Sequence, residues 1–392
     1  MATILISQKD SFLPIVKSLH QAGHTLITTH PPMAQTLKDM DIPAQALAEF
    51  NNPNVQAQAH NIAGQILSGV KAPANSLGPG ALEWVGQNLK GFLYPRLADV
   101  VLFTVLLEVV KPDLIMVHND VEPLLRAASM WGRGKGIPVL HIPHAVYLDI
   151  EKGNVGDDIH SIVSATHLAV AGWFQKQWYE ARGAVNITET GLPQFDKMAL
   201  ADHNQTKAKQ QLGLDPRRPV VTYASSWRQD TNLAGMHSGV EDTYLAMLEV
   251  VKRLPEVQFV IKLHPHAQVS AEWHVTEAQR LGVKGNICFV QQHLEQVLQA
   301  SDLLFTYSGS NILLEASFFP WLRLMATQGY EDDPEVIKVN TDPPNVDVMT
   351  EALVKALQGP PVDLGEFRRK YVGRADGKAG ERITGLIEGL VK

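Results

Sequence analysis

Short runs rich in Val, Ile, Leu and Thr recur along the chain, each followed by a stretch of helical periodicity. In the first half, Thr3–Ser7, Thr25–Thr29, Asp113–His118, Pro138–Ile142, Thr166–Ala171 and Val185–Glu189 read as strands. Helical patterns such as Ser11–Ala22 and Val121–Trp131 fall between them, and Gly132–Gly136 reads as a glycine-rich turn. Strands joined through helices run parallel, because the crossover is long and right-handed. The pattern dictates an α/β fold built on doubly wound parallel sheets. The second half repeats it, with strands at Pro219–Tyr223, Val257–Leu263, Ile287–Gln291 and Leu303–Tyr307. Helices are expected there over Glu241–Leu254 and Asn311–Phe318.

At 392 residues the chain exceeds the size, about 250–300 residues, at which a single core stops growing. The polar segment Ala201–Arg218 separates the halves, so two Rossmann-like domains are expected, over 1–200 and 201–365, with a cleft between them. Residues 31–96, long and helical with Pro/Gly breaks, read as an insertion in the first domain.

Lys and Arg number 34 against 41 Asp and Glu, a net charge of −7, which lacks the basic footprint of a nucleic-acid binder. The lone Cys288 excludes an intramolecular disulfide and a cysteine-built zinc site. The first residues run straight into a strand, so no signal peptide is expected. The longest apolar stretch, Val100–Val110, falls far short of the about 20 residues of a membrane helix. A cytoplasmic protein is expected. Trp84, Phe92 and Leu93 with Lys90 and Arg96 would suit peripheral contact with the inner face of a membrane; a buried helix pair is the plainer reading.

Three strand ends in the second half carry chemistry. In SDLLFTYSGSNILLEA, the turn Ser308–Gly309–Ser310 joins a strand to a helix. Gly309 permits close backbone approach of a ligand, the serines add hydroxyl donors, and free N–H groups at a helix start suit a phosphate. An ordinary serine N-cap is the competing explanation. Glu315, on the first helical turns, could accept from a ribose hydroxyl or serve as a solvated or ion-paired helix residue. His264 in KLHPH closes a strand and can donate to a phosphate oxygen. Arg228 in ASSWRQ can clamp phosphate oxygens or stack on Trp227. In the first half, His118, Asn119 and Asp120 close one strand and His141 and His144 the next. A general base is expected among them, with His144 best placed, Asp120 either base or helix cap, and His141 in the core. No Walker A motif, dinucleotide fingerprint or serine-hydrolase elbow occurs.

YASSWR (Tyr223–Arg228), IKLHP (Ile261–Pro265) and TYSGS (Thr306–Ser310), in that order, resemble the CDP-glycerol glycerophosphotransferase family and related bacterial surface-polymer transferases of the GT-B superfamily. TGLPQFD (Thr190–Asp196) resembles that group's inter-domain element, and DGKAGERI (Asp376–Ile383) its C-terminal helix. The likeness spans roughly 113–200 and 219–390. It implies a GT-B fold whose last segment, 366–392, packs back on the first domain. It implies that His264 contacts the donor phosphate, Ser308 and Ser310 the phosphate or ribose, and that Arg228 neutralises charge. A histidine in an "HG" element serves as base in such enzymes; here Ala145 follows His144. The "TDYSS" aspartate is also missing, and the SGS turn is closer to that of UDP-GlcNAc 2-epimerases and other sugar-nucleotide enzymes.

The expected activity is metal-independent transfer of a sugar or polyol phosphate from a CMP-, CDP- or UDP-linked donor to a hydroxyl. No cofactor is expected. The expected partners are that donor, whether nucleotide-sugar or CDP-alcohol, and a glycan or lipid-linked acceptor in bacterial surface glycan synthesis. The rivals are a UDP-GlcNAc 2-epimerase-like isomerase, a non-catalytic nucleotide-sugar binder and a transferase acting on modified DNA bases.

Overall fold

The computed structural model describes residues 1–7, 12–69, 79–119, 122–146, 164–225, 239–264, 270–307, 311–327, 333–339 and 344–392, with backbone alone at 69, 79–93, 239 and 240. The described residues form two parallel sheets. The chain divides into two compact units: 1–144 with 153–193 and 378–392, and 145–152 with 194–377. The division falls at Pro193/Gln194 rather than near Leu200, and of the C-terminal segment only 378–392 joins the first unit.

In the first unit the strands are β1 (Thr3–Ile6), β2 (Thr25–Thr28), β3 (Ala44–Ala46), β4 (Leu114–Val117), β5 (Val139–His141), β6 (His167–Val170) and β7 (Ile187–Glu189). Their order is β3-β2-β1-β4-β5-β6-β7, every pair parallel. The order reverses between β1 and β4, the switch point at which α/β sheets take ligands. β4 is buried along its whole length, because helices cover both faces of such a sheet.

Residues 31–96 are not simply a helical insertion. Pro31–Lys38 is a crossover helix and β3 is the edge strand of the sheet. The long helix Pro79–Val110 runs past Arg96, through Pro95, and packs against Pro53–Gly69. Gly132–Gly136 is not a turn either: the helix Pro123–Lys135 continues to Gly136, whose φ of 72° ends it. A Cβ on Gly132 would lie 2.7 Å from Val139 and 2.9 Å from Ile115, so glycine lets this helix sit close on β4 and β5. The C-terminal helix Ala379–Leu390 buries Ile383 and Ile387. Glu388 Oε1 meets His24 Nε2 at 2.8 Å, while His24 Nδ1 accepts from Ala2 N.

The second unit contains β8 (Val220–Ala224), β9 (Gln258–Lys262), β10 (Ile287–Val290), β11 (Leu303–Thr306), β12 (Arg323–Ala326) and β13 (Val336–Lys338). The order is β10-β9-β8-β11-β12-β13, again all parallel. Tyr223, Tyr244, Met247, Phe259, Ile261 and Phe305 fill its core. Cys288 is half-buried on β10, and burial pushes its thiol pKa up, away from the reactive thiolate. No helix among the described residues is long and apolar enough to cross a membrane. Most side chains of the Trp84–Arg96 face lie outside the described residues.

Candidate functional site

Ligand-binding groups in such folds collect at the carboxyl ends of the strands, because loops there leave the sheet on one edge. In the second unit β9, β8 and β11 are immediate neighbours. His264 stands just past β9 and is half-buried. Its backbone N–H donates to Ser225 Oγ at 2.9 Å, and Ser225 N donates to Lys262 O at 2.9 Å. The serine that follows β8 thus ties down the backbone that carries His264. Arg228 follows β8, and Ser308, Gly309 and Ser310 follow β11; all four lie outside the described residues.

Glu315 lies in the helix Asn311–Ala316 and is partly buried. Its charge acts on Lys262, whose ammonium is buried at the end of β9 and donates to Leu263 O (2.8 Å) and Gln291 O (2.9 Å). Burial lowers the Lys262 pKa, and the Glu315 charge opposes that shift. Glu315 is therefore a counter-charge to a buried lysine as well as a candidate hydroxyl acceptor. Asn311, the first residue of this helix, accepts from Val146 N at 2.8 Å and donates to Val146 O at 3.4 Å.

In the first unit β1, β4 and β5 are neighbours, and a polar cluster forms at their carboxyl ends. His118 and His144 meet edge to face, ring centroids 5.8 Å apart. His144 approaches His118 O twice, with its backbone N at 3.2 Å and its Nδ1 at 3.3 Å. Ser7 Oγ accepts from His118 N at 3.0 Å and lies 2.9 Å from His118 Nδ1. Glu122 Oε1 lies 3.6 Å from His118 Nε2 and accepts from Asn119 Nδ2 at 2.8 Å. The His118 contact, then Asn119 and the charge of His144, hold the Glu122 carboxyl down at about 2, against the opposing effect of burial. That carboxylate is ionised throughout the neutral range.

His118 and His144 therefore come together as the sequence suggested, while Asp120 lies outside the described residues. His141 is buried, its ring edge-on to Tyr179. Ser7, Glu122, Ser225 and Lys262 were not singled out from the sequence. Glu122 had a signal, the four-residue spacing from His118 at a helix start; Ser7 had none, since it joins His118 across 111 positions.

A model of the CDP-Glycerol:Poly(glycerophosphate) glycerophosphotransferase family matches residues 157–310. That span contains Arg228, His264 and Ser308–Ser310 but not His118, Asp120, His144 or Glu315. Among curated proteins no match is found. The UDP-GlcNAc 2-epimerase of Neisseria meningitidis, solved with UDP-GlcNAc, is 16% identical, with a TM-score of 0.61 over 99% of this chain and 100% of that one. The Methanocaldococcus jannaschii UDP-GlcNAc 2-epimerase, solved with UDP-GlcNAc and UDP, gives 15% and 0.58 over 99% of each chain. A glycotransferase of kitacinnamycin gives 15% and 0.57 over 100% of this chain and 99% of that one. The chain carries the two-domain GT-B fold and, over residues 157–310, is similar to the CDP-glycerol glycerophosphotransferases.

Proposed function

We propose that this protein transfers a sugar or polyol phosphate from a nucleotide-activated donor to a hydroxyl acceptor. The observation that carries the reading is His264, its backbone fixed by Ser225 at the carboxyl end of β9, beside β8 and β11. The second unit would bind the donor through His264, Arg228, Ser308–Ser310 and Glu315. The first would activate the acceptor. As the acceptor O–H bond breaks, its proton goes to the base. The oxygen's electron pair bonds the transferred carbon or phosphorus, and the nucleotide leaves with the pair of the broken bond. His264 and Arg228 would stabilise charge on that leaving group, with no metal required. Product formation should persist in excess EDTA; its loss, restored by Mg2+, would refute the metal-free part. The acceptor class we propose is a glycan or lipid-linked hydroxyl of bacterial surface-polymer synthesis, in the cytoplasm, and not nucleic acid.

The test is thermal unfolding against CMP, CDP, UDP, GDP and ADP. A ligand held at about 100 times its Kd adds about 2.7 kcal/mol to stability. CMP stabilisation would assign a CMP-sugar or CDP-alcohol donor, and UDP preference a UDP-sugar. The reading fails if no nucleotide raises the transition. The isomerase reading has one specific support, the fold shared with UDP-GlcNAc 2-epimerases. It requires product from UDP-GlcNAc alone, with no acceptor added.

A further inference from the structure

Two helices of the second unit, Gln205–Gln211 and Leu294–Ala300, pack against each other, and the second of them lies against β8 and β9. A groove of about 310 Å³ opens along them, within the range of about 300–1,000 Å³ of small-molecule sites. Every side chain that lines it is polar, and none of the groups assigned to the donor is among them. Gln299 lines the groove and is only 7% exposed, yet its amide engages no partner among the described residues. A buried amide left unpaired is destabilising, and a hydroxyl placed in the groove would satisfy it. Gln296 Nε2 donates to Gln211 Oε1 at 3.1 Å, joining the two helices. Whichever way these amides are turned, the bond leaves a carbonyl and an amino group to spare. Asp202 Oδ2 accepts from Lys207 Nζ at 3.0 Å, so the charge of that lysine is already matched. Glu295 has no ion pair or hydrogen bond to its carboxylate among the described residues.

We infer that this groove binds a neutral saccharide of one or two rings, at a site separate from that of the nucleotide. The lining selects the class. An anion such as phosphate needs unmatched positive charge, and Lys207 is paired. An apolar molecule needs apolar walls. A metal ion needs clustered ligands, and no group of three that could hold one occurs among the described residues. A sugar hydroxyl both donates and accepts, and amides beside a carboxylate offer both in turn. The Glu295 carboxylate can accept from two adjacent hydroxyls, while Gln299 offers a donor and an acceptor from the buried side. The inference stands independently of the transferase reading, since no group of the proposed reaction takes part.

The test is saturation-transfer-difference NMR of the full-length protein with glucose, N-acetylglucosamine, maltose and lactose. Each is held at about 10 mM, about ten times the 1 mM Kd of a weak site. At least one is expected to bind, with CMP or UDP present as in their absence. Gln211 is exposed, so Gln211→Trp should fold normally, fill the groove and abolish the transfer. Gln299→Leu, close in bulk, should weaken binding about 2- to 10-fold, as loss of a hydrogen bond does. It should not lower the melting temperature of the sugar-free protein, because the amide it removes has no partner. A lower melting temperature with binding unchanged would make Gln299 a structural residue and overturn the inference. Gln211→Trp decides the matter if Gln299→Leu folds poorly. No binding of any saccharide, binding that survives Gln211→Trp, or displacement of the sugar by nucleotide would each overturn it. Nucleotide affinity in Gln211→Trp should match wild type, so a failure of the donor reading and a failure of this one are told apart.

Discussion

Replacing His144 by glutamine is expected to lower turnover about 10²–10⁴-fold, the usual contribution of a general base, while leaving nucleotide affinity unchanged. Glutamine is close in bulk, and its amide can still donate to His118 O, so the local chain should keep its course. It cannot accept a proton at neutral pH. The groups assigned to the donor all belong to the other compact unit, so the loss should fall on kcat. His264→Ala should show the converse. A hydrogen bond to a charged group contributes about 1.5–3 kcal/mol, so its removal should weaken nucleotide binding roughly 10- to 150-fold. Calorimetric titration of both variants, with steady-state rates once the donor is identified, separates the two effects. Wild-type turnover in His144→Gln would move the base to Asp120, and unchanged affinity in His264→Ala would remove the histidine from the donor site.

How far the sequence reveals this molecule depends on the range of the interactions concerned. Parallel sheets hide their strands in long apolar runs, so β1, β4, β8, β9 and β11 were legible to within a residue or two. The edge strand β3 is Ala-Gln-Ala, three residues with no branched side chain, and β13 is only Val-Ile-Lys. Neither has enough pattern to stand out from its surroundings, and pairing with a neighbour is what makes each a strand. Gly132 and Gly134 suggested a turn because glycine is a poor helix former; close packing of the helix on Val139 overrides that propensity. Among candidate site residues, those proposed for standing at a strand end, His118, His144 and His264, do stand at strand ends, which the sequence pattern made visible. Ser7 and Ser225 were not, because a serine acquires meaning only from the histidine that the fold carries to it.

The largest stability effect is expected at Asp302, on the edge of the second sheet opposite His264. Its carboxylate accepts from Lys209 Nζ at 2.8 Å, Val220 N at 2.8 Å and Gln205 Nε2 at 3.0 Å. It thereby joins the starts of β8 and β11 to the helix Gln205–Gln211. The Lys209 side chain is only 6% exposed, and that of Asp302 is 23% exposed. Asp302→Asn keeps the shape and one accepting oxygen but leaves the lysine charge buried without its counter-ion. Breaking a buried pair from one side costs about 3–5 kcal/mol, and the partial exposure of Asp302 places this case near 3. For a unit of this size that corresponds to a fall of roughly 6–12 °C in Tm. The double variant Lys209→Met with Asp302→Asn removes the orphaned charge and should melt above Asp302→Asn alone, although it loses one more polar group. Nucleotide affinity, measured below the transition, should match wild type, because the altered groups stand at the amino ends of the strands. A double variant no more stable than the single one would show that the carboxylate's backbone contacts, rather than the buried ammonium, set the cost.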